Sequence, residues 1–182
     1  MKNALIVIID PQNDFTHANG QYAKRHSGIT FIKRALEKID VLIKSIEGIT
    51  KAVIYSDYDI NQFEANLSIC IPGTFGHKLN LEIKNIDYSF IKKEYSIFSS
   101  KEFIDFLWQY KIDTIYISGF LTEYCIRSSI FDAAAQNYSI IVLEDCIGTG
   151  DDVQHRNTDF LIDLQKSGIK LTSSEELIKI LS

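Results

Sequence analysis

The stretch Thr114-Ile-Tyr-Ile-Ser118 runs directly into Gly119-Phe-Leu-Thr122-Glu-Tyr-Cys125-Ile-Arg-Ser-Ser-Ile-Phe-Asp-Ala-Ala134, and these two pieces decide the fold. The first is a short apolar run rich in isoleucine and stopped by a glycine, the pattern of a buried strand. The second opens on that glycine, reaches a threonine suited to capping, and continues as a helix former. Together they predict strand, tight turn and helix, with Thr122 as the cap. Cys125 then stands in the first helical turn. Unpaired amides and the positive end of the helix dipole favour a thiolate there, which makes Cys125 a candidate nucleophile. A free cysteine is more often packed as a small hydrophobe, so the rest of the chain has to decide between the two.

The same alternation continues on both sides. Ala4-Leu-Ile-Val-Ile-Ile9 is a continuous apolar run stopped by Asp10-Pro11, as expected of a strand buried on both faces of a parallel sheet. Further strands are predicted at Ala52-Val-Ile-Tyr55, at Tyr88-Ser-Phe-Ile91 with Lys92 at its end, at Ser139-Ile-Ile-Val-Leu143 stopped by Glu144-Asp145, and over 169–171. Helices are predicted over 31–46, where Ile32, Ala35, Leu36, Ile39, Leu42, Ile43 and Ile46 keep helical spacing, and over 103–110, 126–136, 153–166 and 175–181. From Tyr58 to Lys84 the period is lost and Pro72-Gly73 and Gly76 appear, which predicts a long loop of the kind that usually serves function. Strands alternating with helices give an α/β fold: three layers, α/β/α, around a doubly wound, mainly parallel sheet. Ligands of such sheets bind beyond the carboxyl ends of the strands. Asp10, Lys92 and Cys125 all fall at such ends.

The 182 residues, 46% of them hydrophobic, suit one globular domain over 1–182. A net charge of -5 leaves no basic patch, so neither nucleic acid nor an anionic membrane surface is an expected partner. A small molecule is. The apolar run before Asp10 is too short for a signal segment or a membrane span, and a cytoplasmic location is expected. Cys70, Cys125 and Cys146 form no CxxC pair and are expected as free thiols. Aromatic residues make up 12% of the chain, more than a small core needs, which points to a homo-oligomer.

Asp10, Lys92 and Cys125 would supply a base, a cation and a thiol around one crevice. A carboxylate can take the thiol proton and return it to a leaving amine, while an ammonium steadies both charges. On these residues the chain resembles the isochorismatase-like cysteine hydrolases, which include nicotinamidases, N-carbamoylsarcosine amidases and isochorismatases. Ile9-Asp10-Pro11-Gln12-Asn13-Asp14-Phe15 is similar to the family's Asp-x-Gln-x-Asp-Phe turn, and Gly73-Thr74-Phe75-Gly76 to its Gly-Thr-x-Gly loop. Lys92-Lys-Glu-Tyr95-Ser96-Ile-Phe98 matches Lys-x-x-Tyr-Ser-x-Phe, and Gly119-x-x-Thr122-x-x-Cys125-Ile126 matches the nucleophile turn. The resemblance covers nearly the whole chain and implies a Rossmann-like isochorismatase-like fold, the catalytic triad Asp10, Lys92 and Cys125, and amide hydrolysis through a thioester. It also implies an oxyanion hole from the N–H groups of Leu121 and Cys125, the former aimed by a cis peptide between Phe120 and Leu121. Two alternatives are a vinyl-ether hydrolase of isochorismatase type, which needs no thiol, and a non-catalytic binding or scaffold protein on the same fold.

The chain departs from the nicotinamidase pattern at the metal. Where nicotinamidases carry Asp-x-His-x-x-x-His, this sequence reads Asp57-Tyr58-Asp59-Ile60-Asn61-Gln62-Phe63, so an aspartate and a phenylalanine replace both histidines. Imidazole suits zinc or iron and neither replacement does, so no tightly held metal and no cofactor are expected. Asp57 and Asp59 would retain at most weak affinity for a hard cation. The histidines His17, His26, His77 and His155 are scattered and are expected at the surface, His77 beside the Gly-Thr-x-Gly loop. Phe15, Tyr58, Phe63 and Phe98 are the candidates for lining an apolar substrate pocket, Phe98 being equally suited to the core.

Overall fold

The computed structural model describes residues 3–181. Its sheet holds six strands, all paired in parallel: β1 (Ala4–Ile9), β2 (Thr50–Ser56), β3 (Tyr88–Lys92), β4 (Thr114–Phe120), β5 (Ser139–Gly148) and β6 (Lys170–Thr172). Their order, β3-β2-β1-β4-β5-β6, reverses direction at β1, between β2 and β4. The run Ala-Leu-Ile-Val-Ile-Ile has no polar side chain to turn to water and is buried at all six positions, so it takes the centre.

Period-two alternation splits the strand between two cores. Ala4, Ile6 and Ile8 face Ile32, Ile39, Leu42 and Ile43 of α2 (Thr30–Ser45) and Leu177 of α6 (Ser174–Leu181). Leu5, Val7 and Ile9 face Phe103 and Leu107 of α3 (Lys101–Gln109), Ile130 and Ala133 of α4 (Arg127–Ala135), and Phe160 and Leu164 of α5 (Gln154–Lys166). A short helix, α1 (Asn13–Thr16), absent from the sequence-based pattern, follows β1. No helix of the described residues is long and apolar enough to cross a membrane.

β5 runs on to Gly148 where the sequence pattern predicts a stop at Glu144-Asp145. Both carboxylates have somewhere to go without leaving the ladder: Glu144 is exposed, and Asp145 accepts from the N–H and Oγ of Ser174 at 2.7 and 2.6 Å, capping α6. The extension brings Thr149 up to the nucleophile turn. Between β2 and β3 the long loop forms as expected, without a strand or α-helix of its own among the described residues.

That loop is pinned by the turn after β1. Gln12 donates from Nε2 to the carbonyls of Ser56 and His77, both at 2.9 Å, and accepts from the Ser56 N–H at 2.8 Å. Asp14 accepts from the Cys70 N–H at 2.6 Å. Gly76 lies so close that a Cβ there would sit 2.1 Å from the Asp14 carboxyl carbon, which explains its glycine. At Gly119 a Cβ would meet the Ile9 carbonyl oxygen at 2.0 Å, and φ is 112°, so only glycine lets β4 leave the sheet there.

Candidate active site

Asp10 is the first residue beyond β1, fully buried and held at φ 51°. Its Oδ1 accepts from Ser56 Oγ at 2.8 Å, and its Oδ2 lies 2.9 Å from Lys92 Nζ. The ion pair is close but not aligned as a hydrogen bond, so Oδ2 keeps a lone pair without a partner among the described residues. Lys92 closes β3, also fully buried, with Nζ 2.7 Å from Ser56 Oγ, 2.8 Å from Tyr58 Oη, 3.0 Å from the Glu94 carbonyl and 3.4 Å from Cys125 Sγ. Burial works to lower the Lys92 pKa, but the Asp10 carboxylate and the Cys125 sulfur beside it outweigh burial and leave the value raised. The ammonium is therefore a fixed charge between base and thiol.

Cys125 differs from its expected state. Burial, the largest influence, pushes the thiol up to about 12; Lys92 pulls the other way and Asp10 adds to the rise. At neutral pH Cys125 is a thiol. The residues Thr122–Ile126 form a π-helical turn in which the Ile126 N–H reaches back to the Leu121 carbonyl at 3.2 Å, and the α-helix begins only at Arg127. Thr122 does not cap it; its hydroxyl donates to Asn157 Oδ1 at 2.8 Å. Desolvation of a residue only 3% exposed outweighs the pull of Lys92.

The peptide between Phe120 and Leu121 is cis. The Leu121 N–H has no hydrogen-bond partner among the described residues, and both Leu121 and Cys125 line a cleft of about 180 Å³. Its walls are aromatic: Phe15, Tyr22, Phe63, Tyr95 and Tyr124, with Phe63 stacked on Tyr95 at 4.2 Å. Phe15 and Phe63 thus stand where the pocket was expected.

Tyr58 and Phe98 do not. Tyr58 is buried beneath the cleft, its hydroxyl 3.6 Å from Cys125 Sγ and its ring 5.0 Å from Lys92 Nζ, so it is a neighbour of the triad and not a wall. Burial drives its pKa upward, so it remains a phenol. Phe98 packs against Phe103 and Tyr138 in the core under α3 and α4. Ser56, which bridges Asp10 and Lys92, escaped sequence analysis because it read only as a strand end. Tyr22, Arg25 and His26 lie on a single 3₁₀ turn, Ala23–Arg25, and its two flanking residues, too short for a period to reveal them, whereas Tyr95 stood in the Lys-x-x-Tyr motif.

The side chains at the nicotinamidase metal position do not fit a transition metal. The Asp57 carboxylate is engaged by His77 Nε2, Asp59 is exposed, and Phe63 is committed to the aromatic wall. No group of three potential ligands comes together among the described residues. His77 and His26 are only 21% and 13% exposed at the side chain, each paired with an aspartate, so neither is the free surface residue expected.

Residues 4–176 match the isochorismatase domain model. The chain belongs to the isochorismatase family. It is 25% identical, over 96% of its length and 94% of the relative's, to an Arabidopsis thaliana protein named "probable inactive nicotinamidase". PnC1 of L. infantum, solved with nicotinate, superposes with a TM-score of 0.80 at 17% identity, covering 96% of this chain and 94% of that one. The pyrazinamidase of Pyrococcus horikoshii, solved with zinc, gives 0.79 at 17% identity, covering 94% and 99%. At such identity the two structures show a shared fold. The family membership makes this a hydrolase-type chain of isochorismatase architecture.

Proposed function

We propose that this isochorismatase-family chain is a cysteine amidohydrolase that cleaves the C–N bond of a small amide through a thioester on Cys125. One observation carries the proposal: the Lys92 ammonium stands 2.9 Å from Asp10 and 3.4 Å from Cys125 at the floor of an aromatic-walled cleft. Because the resting thiol is protonated, deprotonation has to accompany attack. Asp10 Oδ2 takes the proton as Sγ bonds to the carbonyl carbon, and the carbonyl electron pair moves to oxygen, where the N–H groups of Leu121 and Cys125 receive it. Collapse expels the amine with the proton from Asp10. Water then loses a proton to Asp10, attacks the thioester, and the departing sulfur regains that proton. Lys92 remains charged throughout and offsets the negative charge as it passes between carboxylate and sulfur.

Aromatic walls favour an amide with a flat or apolar body. No step uses a metal, and turnover is expected to be unchanged by EDTA. The test is ammonia release across a panel of small amides, with Cys125→Ala alongside. We expect the substitution to lower kcat by about 10³-fold or more. A second reading is favoured by the name of the Arabidopsis relative: a binding protein that kept the fold. Silence across amides and vinyl ethers alike would support it, and hydrolysis of a vinyl ether undiminished in Cys125→Ala would move the activity to the isochorismatase type.

A further inference from the structure

We infer that the outer edge of β3 is a docking surface for a second copy of this chain, and that two copies join there as antiparallel neighbours in one continuous sheet. None of the residues from Asp87 to Lys93 lines the cleft, so the inference stands apart from what the cleft hydrolyses.

The order β3-β2-β1-β4-β5-β6 leaves two edges, and they are built differently. β6 has three residues and opens on the exposed Lys170, a short, charged edge of the kind that discourages further pairing. β3 has five residues, and Tyr88, Ser89 and Ile91 are exposed. Its one charged side chain, Lys92, does not guard the edge, because it is fully buried against Asp10. The backbone of β3 is also ready to pair. Lys92 accepts from the Asp57 N–H at 2.9 Å, so its polar groups are turned to β2. By alternation those of Phe90 and Tyr88 turn the same way, and Ser89 and Ile91 present N–H and C=O outward, where no further strand lies among the described residues.

Charge decides the occupant and the register. Asp87 precedes the strand and Lys93 follows it, and both are exposed. Asp87 accepts from the Lys51 N–H through one oxygen, at 2.8 Å, and Lys93 has no ion-pair partner among the described residues. A two-fold axis at Phe90 sets Asp87 opposite Lys93 of the partner subunit, and Lys93 opposite Asp87 of the partner subunit. Ser89 and Ile91 then exchange both backbone hydrogen bonds with the partner's Ile91 and Ser89, and Phe90 meets the partner's Phe90 as an aromatic cross-strand pair. Other registers lose this match. Sliding the strands by two residues sets Asp87 against an isoleucine or Lys93 against a serine, and in-register parallel pairing sets like charges together. Because each copy has one such edge, the pair closes on itself as a dimer and does not propagate.

Light scattering of the full chain after size exclusion, over a range of concentrations, should give twice 20.8 kDa. Lys93→Asp brings aspartates face to face and Asp87→Lys brings lysines face to face, so each variant alone should raise the dimer Kd about tenfold. Mixed in equal amounts, the two variants should form a mixed dimer with the affinity of the unchanged chain, since opposite charges meet again at both ends; native mass spectrometry distinguishes it. Ser89→Pro removes an N–H that points away from β2, so it should abolish the dimer and leave the melting temperature of the chain nearly unchanged. Melting curves establish that the charge variants fold. A mass of 20.8 kDa at every concentration overturns the inference. So does a dimer that Ser89→Pro and the charge variants leave intact, and so do two folded charge variants that fail to pair on mixing.

Discussion

Cys125 and Cys146 are both buried thiols at or near the carboxyl end of a central strand, and burial is the largest influence raising the pKa of each. They differ in their neighbours. Cys146, on β5, faces Ile and Leu side chains of the α2 core, with Asp145 as the charge next to it. Cys125 has an ammonium at 3.4 Å, a phenol at 3.6 Å, a cleft in front, and the Asp10 carboxylate close by with a spare lone pair. The contrast teaches that, in the mechanism proposed, being ionised at rest is not what would set the nucleophile apart. Both thiols have a carboxylate beside them, so what separates them is the ammonium at 3.4 Å and the open cleft in front of Cys125, the two features the proposed mechanism uses.

The sharpest way to break that contrast is Asp10→Asn. Removing the base should lower turnover by about 10²- to 10⁴-fold. The same change should speed alkylation of Cys125 by iodoacetamide near neutral pH, because Asp10 raises the thiol pKa while Lys92, which lowers it, stays. Slower alkylation in the variant would show that Asp10 does not hold the proton on sulfur. Cys146 should label at the same slow rate in both proteins.

Lys92→Met comes next. It leaves Asp10 buried without its cation, an arrangement that costs roughly 3–5 kcal/mol when one partner of a buried pair is removed. Urea melts should show that loss, and Asp10→Asn combined with Lys92→Met should recover most of it without recovering turnover. Full stability of the single variant would mean that the pair is not the electrostatic centre described.

The smallest effect is on alkaline stability, where the two thiols should behave alike. A raised thiol pKa means that the folded state holds a proton the unfolded state has lost, so stability is complete below the usual 9.0 and falls as pH rises toward about 12 for Cys125. The slope is on the order of 1 kcal/mol per pH unit for each such thiol. Thermal midpoints measured from pH 8 to 11 should decline, and less steeply in Cys146→Ala. A flat profile would show that the thiols ionise in place.

The run Ala4–Ile9, the helix over Thr30–Ser45 and the turn at Gly119 were legible because each rests on local physics: apolar runs without polar side chains, a stripe at helical spacing, a residue that alone tolerates φ 112°. The triad was legible because chemistry-bearing residues stood at predicted strand ends, and because Asp10, Lys92 and Cys125 lay within motifs that resemble a known family. Other features depended on partners distant in sequence. β5 continued through Glu144-Asp145 because Ser174 was waiting for the second carboxylate, and Tyr58 left the pocket because its hydroxyl met Lys92 at 2.8 Å. Sequence therefore determined the α/β order, the parallel sheet and which three side chains meet, since these follow from periodicity and from where strands end. Tertiary structure decided the protonation of Cys125, the pairing of Asp57 with His77 and the packing of His26 between Tyr22 and Gly150, since burial and pairing are properties of the neighbours a side chain acquires and not of the side chain itself.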